Sequence, residues 1–329
     1  MLYLEPNSND PAFNIAFEEF AFRKIADRDD VFILWINKPC IVVGKNQNTV
    51  EEINQKYCDQ NNIKIVRRIS GGGAVYHDLN NLNYTIISSE DSSAGFDFNS
   101  FSMPVIETLA EIGIKATFSG RNDIIIGDSK FCGNAQYIKK NRVMHHGCIL
   151  FDVDLTVLSR ALKVSKDKIE SKGKKSVRSR VTNIKEHLKD TSLTVEDFKN
   201  LLKSYMNKHY HMTDYHLTDL ELEEVQKIKA SRNDSWDWVY GENPEFTIKR
   251  SRRFESGKVE AQILVIKGII ENIKFYGDFF GVRDVDELAK KLKNVKYEAK
   301  SVKSILEKQD ISSYFMGLST DDVVDVIVD

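Results

Sequence analysis

Two arginines followed by a stretch without side-chain bulk make the densest chemical signal in the chain. The run is Arg67-Arg68-Ile69-Ser70-Gly71-Gly72-Gly73-Ala74, continued by Val75-Tyr76-His77-Asp78. Three glycines in a row remove every Cβ, so a ligand can approach the main chain and exposed N–H groups can face an anion. The guanidinium groups add fixed positive charge for a carboxylate or a phosphate. The spacing is neither G-x-G-x-x-G nor G-x-x-x-x-G-K-[ST], which sets aside the dinucleotide and P-loop mechanisms. Taken alone, the segment also reads as a flexible turn.

Three further clusters follow. Gly120-Arg121-Asn122-Asp123 leads into Ile124-Ile125-Ile126. An Asn-Asp pair at the mouth of a strand supplies oxygen ligands suited to nucleotide-borne magnesium, or simply caps a turn. Next comes Gly127-Asp128-Ser129-Lys130-Phe131-Cys132-Gly133-Asn134-Ala135-Gln136. Its start reads as a hairpin turn, and its lysine, set among small residues, can serve as a fixed charge. The last cluster joins Met144-His145-His146-Gly147-Cys148 to the basic 172–183 segment, KGKKSVRSRVTN. Two adjacent histidines without a third ligand read as structural rather than metal-binding. Cys148 is a possible nucleophile with His146 as base, although buried thiols are commoner. The basic segment could close on a phosphate through N–H groups and arginines.

These clusters need a scaffold. Asp10-Pro11 is a helix start, followed by Phe13, Phe17 and Phe20 on one face. Strand-like runs occupy 31–36, 41–43, 63–69, 84–87, 124–126 and 148–151. A polar loop spans 88–100, a helix 103–112, and a Thr194-capped helix 194–205. The SWDWVYGENPEF stretch at 235–246 closes a first domain, 1–246. The remainder, 247–329, has strand patterns at 246–250, 259–266 and 272–275 and two closing helices, 285–292 and 302–307. The fold class is α+β: a large mixed-sheet domain and a small α+β domain.

Composition bounds the function. The 329 residues are 41% hydrophobic and 29% charged, with a formal net charge of -2. No global basic field supports nucleic-acid binding. The four cysteines, Cys40, Cys58, Cys132 and Cys148, form no C-x-x-C pair, so neither a zinc site nor a disulfide framework is expected. No apolar run approaches 18 residues, and the first residues lack a signal-peptide pattern. A cytoplasmic protein off the membrane is the expectation. Between residues 160 and 190 there are eleven Lys/Arg against four Asp/Glu. That basic region could help dock an acidic partner, in which case added salt should weaken capture.

In this order, the clusters resemble the lipoate–protein ligase A family. The matching elements are RRISGGGAVYHD (67–78), Asn81, GRND (120–123), GDSKFCGNAQY (127–137), HHG (145–147) and KGKKSVRSRVTN (172–183). PAFNIAFEE near the N-terminus and SWDW near residue 236 also fit. The resemblance spans nearly the whole chain and weakens after residue 250. It implies a biotin/lipoate-ligase-like catalytic domain with a C-terminal accessory domain. It also implies ATP-dependent activation of lipoate to lipoyl-AMP, release of pyrophosphate, and lipoyl transfer to a carrier lysine. Expected carriers are the glycine-cleavage H protein and the lipoyl domains of 2-oxoacid dehydrogenases.

Carried over by position, the resemblance makes Lys130 catalytic, touching acyl carbonyl and adenylate phosphate. Arg68, Ser70, Gly71, Gly72, Gly73, Ala74, His77, Asn81, Gly133 and His146 line or flank the lipoate and adenylate slot. Asn122 and Asp123 face the phosphates and magnesium, and Lys172, Gly173, Val177, Arg178 and Arg180 belong to a mobile adenylate loop. This chain departs from the family pattern at Asn80, where glycine is usual and a changed turn is expected. It also departs at Cys132 and Cys148, where serine and threonine are usual. The alternative is an octanoyl or lipoyl transferase working through a cysteine thioester. The position where such enzymes carry their cysteine falls near Val143 here. Biotin ligases are disfavoured by the missing GRGRxG-type loop. A non-catalytic lipoate-binding protein is disfavoured by Lys130 and Asp123.

Overall fold

The computed structural model describes residues 1–89, 97–139, 141–162, 181–240 and 246–328. It divides into two compact units. The first comprises Met1–Val43, Val50–Arg68 and Ala74–Val239. The second comprises Gly44–Thr49, Ile69–Gly73 and Tyr240–Asp329. Both are α+β.

The first unit is built on an eight-stranded mixed sheet. In chain order its strands are β1 (Leu2–Leu4), β2 (Val31–Trp35), β6 (Asn81–Ser88), β7 (Ala116–Ser119), β8 (Asp123–Ile126), β9 (Ser129–Ile138), β10 (Val143–Leu150) and β11 (Thr213–Asp214). Their spatial order is β11-β1-β2-β6-β10-β9-β8-β7. A second sheet holds β3 (Cys40–Val43), β4 (Lys64–Arg67) and β5 (Val75–His77) in the order β4-β3-β5. Strands β2 and β10 are buried along their whole length, as expected when both faces of a sheet are covered.

Helices supply that cover. Helix α1 (Pro11–Phe20) starts as its sequence predicts: Asp10 accepts from the Ala12 N–H and Pro11 takes the first turn. All ten of its residues are buried, including Glu18 and Glu19. Helix α2 (Phe98–Glu111) begins five residues before the sequence expectation. Asp97 caps it through the Ser100 N–H, and Phe98 and Phe101 fill its buried side, so the polar loop ends sooner. Helix α3 (Val195–Tyr210) has the expected Thr194 cap, reciprocated by Asp197, and runs on until His211 turns left-handed at φ 49°. Helix α4 (Asp219–Ile228) is an addition to the expected elements: a Thr218–Glu221 capping box opens it, and it buries only Val225.

The second unit carries a meander of β12 (Ile248–Phe254), β13 (Gly257–Ile266) and β14 (Ile269–Gly277). Helices α5 (Val285–Leu292), α6 (Ala299–Leu306) and α7 (Thr320–Val328) share its core with Val259, Ile263, Phe275 and Phe315. Helix α7 corrects the expectation of two closing helices. Its acidic residues sit in the first turn and on the outer side, while Val323, Val324, Val326 and Ile327 turn inward. No helix among the described residues is long and apolar enough to cross a membrane.

Candidate active site

The β8–β9 hairpin presents the predicted lysine. Gly127 turns the chain at φ 60°, where an L side chain would be strained. The register runs Asp123↔Gly133 and Ile124↔Cys132, then slips to Ile125↔Lys130. Residues three apart in a regular strand face opposite ways. The bulge turns Lys130 onto the face that carries Gly133 and Asp123. There the ammonium lies 2.6 Å from Asp123 Oδ1, with both side chains about a third exposed (34% and 38%). Burial pulls Lys130 down, but the Asp123 carboxylate more than offsets it and holds the lysine above its ordinary range. A Cβ at Gly133 would stand 2.5 Å from Lys130 Nζ and 2.8 Å from Cε. The lysine stem crosses the strand at the one residue without a side chain.

Strand alternation splits the paired histidines of β10. His146 and Cys148 share a face with Thr85 and Asn83 of β6 and with Gly133 of β9. His146 Nδ1 meets Glu18 Oε1 of α1 at 2.8 Å, and the Thr85 hydroxyl donates to the same oxygen at 2.6 Å. Trp35 Nε1 donates to Thr85 Oγ1 at 3.2 Å. Glu18 was not singled out from sequence; only its place in the PAFNIAFEE block marked it. The Cys148 thiol donates to Asn81 Oδ1 at 3.5 Å. Burial pushes that thiol up to about 12, against the pull of Lys130 and Arg68.

His145 belongs to the opposite face, beneath α2. Gln136 Nε2 donates to its Nδ1 (3.0 Å), its Nε2 donates to Tyr84 OH (3.0 Å), and Tyr84 donates to Asn134 Oδ1 (2.7 Å). Phe101 stacks on the ring at 5.3 Å. Burial keeps His145 neutral, well below the usual histidine range. This is a structural histidine, as the sequence suggested. Cys132 also faces this way, its thiol 3.5 Å from Asn134 Oδ1.

The small sheet brings Arg68 and His77 to the Glu18–His146 side. The expectation that both arginines meet a ligand is corrected for Arg67. Its guanidinium donates to the Trp238 and Val239 carbonyls (2.7 and 2.8 Å), and Trp238 Nε1 donates to the Arg67 carbonyl. The SWDW segment therefore consumes it. Arg68 is buried and donates to the Val42 carbonyl at 3.1 Å; burial draws it down to about 10. His77 is driven down to about 3 by burial first, then by Arg68 and His146. Asn81 spends its amide nitrogen on the Leu82 and Ile149 carbonyls. The turn before it needs no glycine. Asn80 has no positive φ, and Asp78 caps the turn by accepting the Asn80 N–H at 2.8 Å.

Ser70, Gly71, Gly72 and Gly73 are grouped with the second unit, whereas Ala74 stays with the first. The three glycines differ in what they do. A Cβ on Gly71 would meet the Phe279 carbonyl oxygen at 2.6 Å, so main chain already occupies its bare side. Gly72 adopts φ 88°. Gly73 has open space where a side chain would be. The picture of a ledge bare for a ligand throughout is therefore corrected at Gly71.

Asn122 and Asn134 clasp each other: Asn122 Nδ2 donates to the Asn134 carbonyl, and the Asn134 N–H and Nδ2 donate to the Asn122 carbonyl (2.9 and 3.1 Å). No group of three metal-type ligands exists among the described residues. A single carboxylate, Asp123, suits a magnesium ion that arrives with phosphates and keeps its waters. Lys172, Gly173, Val177, Arg178 and Arg180 lie outside the described residues. The flanks of their segment are pinned. Leu162 bridges to Ile53, Thr182 N donates to the Lys130 carbonyl at 2.9 Å, and Asn183 exchanges two bonds with Val153.

Arg68, His77, Asn81, Asp123, Lys130, Gly133 and His146 thus meet in the first unit. The set offers fixed cations and neutral imidazole, and no activated thiol. All four cysteines are buried, and burial raises every one of their thiols. Such a site fits phosphate-linked acyl chemistry better than a thioester.

Comparison with known proteins agrees. The model of the lipoyl protein ligase A/B catalytic domain matches residues 10–207, and that of the bacterial lipoate protein ligase C-terminus matches 243–327. Lipoate-protein ligase LplJ of Bacillus subtilis is 42% identical, covering 99% of this chain and all of its own. Lipoate–protein ligase 1 of Staphylococcus aureus is 40% identical, covering 97% of each. Among solved structures, P. falciparum LipL1 in complex with lipoate aligns with a TM-score of 0.82 at 25% identity, over 98% of this chain and 97% of that one. A lipoate-protein ligase A bound with ATP gives 0.62 at 25% identity, over 73% and 97%.

Proposed function

The chain belongs to the lipoyl protein ligase A/B family, and from that premise we propose which of its residues perform the reaction. It is an ATP-dependent lipoate–protein ligase, forming lipoyl-AMP and passing the lipoyl group to a carrier-protein lysine. The observation that carries the site assignment is the Lys130 ammonium, held on the bulged strand beside Asp123 and over Gly133.

In the first step a lipoate carboxylate oxygen attacks the α-phosphorus of ATP, and the bond to pyrophosphate breaks. Negative charge grows on the phosphoryl oxygens, where Lys130 stabilises it. Asp123, with Asn122 beside it, would hold a magnesium ion brought by the nucleotide, which would supply charge neutralisation to the polyphosphate. In the second step the carrier amine attacks the acyl carbon, the bond to AMP breaks, and the amine gives up a proton. Lys130 then holds the acyl oxyanion. Arg68, Ala74, His77, Asn81 and His146 line the acyl slot, and Lys172, Gly173, Val177, Arg178 and Arg180 are assigned to the adenylate. Apolar burial of the lipoyl tail supplies most of the affinity, at about 0.8 kcal/mol per CH₂.

Carriers are lipoyl domains of 2-oxoacid dehydrogenases and the glycine-cleavage H protein. The boundary between catalytic and accessory domains is placed near residue 246. The deciding experiment incubates the protein with ATP, magnesium, lipoate and a panel of apo-carriers, read by intact mass. A lipoyl mass increment on one lysine, dependent on ATP, is expected. Increments that form equally without ATP would restore the thioester alternative.

A further inference from the structure

Asn14, Asn37 and His77 form a directed line of hydrogen bonds. Asn14 Nδ2 faces three oxygens: the Ser8 and Ile36 carbonyls (3.0 and 3.2 Å) and Asn37 Oδ1 (2.9 Å). Only the NH₂ end of an amide can satisfy all three. Asn37 Oδ1 is therefore an acceptor, and Asn37 Nδ2 is what faces His77 Nδ1 at 3.1 Å and Cys40 Sγ at 3.6 Å. A proton on Nδ1 would oppose that donor. Nδ1 accepts, and the single proton of the neutral ring sits on Nε2. Arg68 and His146 beside the buried ring disfavour a second proton.

His77 is 3% exposed, yet its Nε2 has no hydrogen-bond partner among the described residues. A buried N–H left unpaired is costly, and here two asparagines fix its direction. Its surroundings locate it within the site. Lys130 crosses Gly133, the cross-strand partner of Cys148, whereas Trp35, which packs on the His77 ring, donates to Thr85, the cross-strand partner of His146. His146 stands two residues along β10 from Cys148, about 7 Å at strand spacing. Trp35 meets the His77 ring edge-on at 6.2 Å. His77 therefore marks the end of the site away from the lysine.

Given that the site takes lipoate with its acyl carbon at Lys130, we propose that His77 donates its Nε2–H to a dithiolane sulfur. It thereby acts as the residue that prefers a sulfur-bearing tail to a hydrocarbon one. Apart from the carboxyl group, the two sulfurs are the only acceptors in the substrate. They are weak, neutral acceptors, and a neutral donor meets them without burying an unmatched charge.

The test uses lipoate, octanoate and 5-cyclopentylpentanoate, whose ring carbons replace both sulfurs while keeping the shape. Ligation to an apo lipoyl domain is followed by intact mass for the wild type and for His77→Phe. The wild type should favour lipoate over the cyclopentyl acid by about tenfold in kcat/KM, and His77→Phe should bring that ratio close to one. A wild-type ratio near one, or a ratio that survives the substitution, overturns the proposal. An equal loss with all three acids also overturns it, placing the donor at the shared carboxyl end. Should the variant not fold, ¹⁵N-histidine NMR of the wild type decides. Lipoate, unlike the cyclopentyl acid, should shift one protected Nε2–H signal, and identical responses to both overturn the assignment. Lipoate ligation by the wild type tests the underlying function separately, so the two failures cannot be confused.

Discussion

The role proposed for Lys130 depends on what is missing next to it. Gly133 lets the ammonium cross the strand, and Asp123 holds the charge in place. Lys130→Ala should lower lipoyl-AMP formation by ~10²–10³, by analogy with losing one oxyanion donor. Gly133→Ala tests the same idea without touching the charge. Its methyl group meets only the tip of a flexible side chain, so the protein should fold and melt near the wild type. The displaced ammonium should slow adenylation by about 10²-fold, the scale of a 1 Å misplacement. ATP–pyrophosphate exchange measures both, and a normal rate in Gly133→Ala would detach the lysine position from catalysis. Cys148→Ser should keep its ligation activity, because the raised thiol only donates to Asn81 and a hydroxyl does that equally well. Loss of carrier modification in that variant would revive a thiol mechanism.

At the scale of elements, the bulge in β8–β9 and the segment returning after residue 180 converge on the same lysine. Thr182 donates to the Lys130 carbonyl, and Asn183 bonds both the N–H and the carbonyl of Val153. Asn183→Ala leaves two buried backbone groups unpaired, at a cost of about 1–3 kcal/mol each. The expected result is a raised KM for ATP, with lipoate binding affected less, measured by isothermal titration and exchange kinetics. Equal weakening of both substrates would show a general loss of stability instead. Helix caps were legible in advance, since Asp10-Pro11 and Thr194 state local chemistry. Helix α7 was not, because an acidic tail hides four inward-facing residues.

Over the whole molecule, neutral buried histidines tie stability to pH. His77 titrates at about 3 in the fold, below the histidine value of about 6.5 expected once unfolded. Between those values the unfolded chain binds the extra proton. The stabilisation is therefore complete above pH 6.5 and lost as pH falls toward 3. At pH 5 the loss from His77 is about 2 kcal/mol, and His145 adds a loss in the same direction. All three tryptophans, Trp35, Trp236 and Trp238, lie in the first unit, so their fluorescence reports that unit alone. Urea unfolding at pH 7.5 and 5.0 should show the decline, and His77→Phe should show less of it. A flat profile would mean that the ring is protonated in the fold.

Sequence by itself determined the family and the α+β class, because motif order and local capping are written in neighbouring residues. It did not determine which arginine Trp238 and Val239 engage, which glycine lies against main chain, or which carboxylate supports His146. Arg67 is used up by Trp238 and Val239, 171 and 172 positions away, and Glu18 reaches His146 across 128. Nor could residue spacing place Lys130 over Gly133, since a regular strand would point them apart. Those outcomes depend on register, on a single bulge and on packing between distant segments, which exist only once the chain has folded.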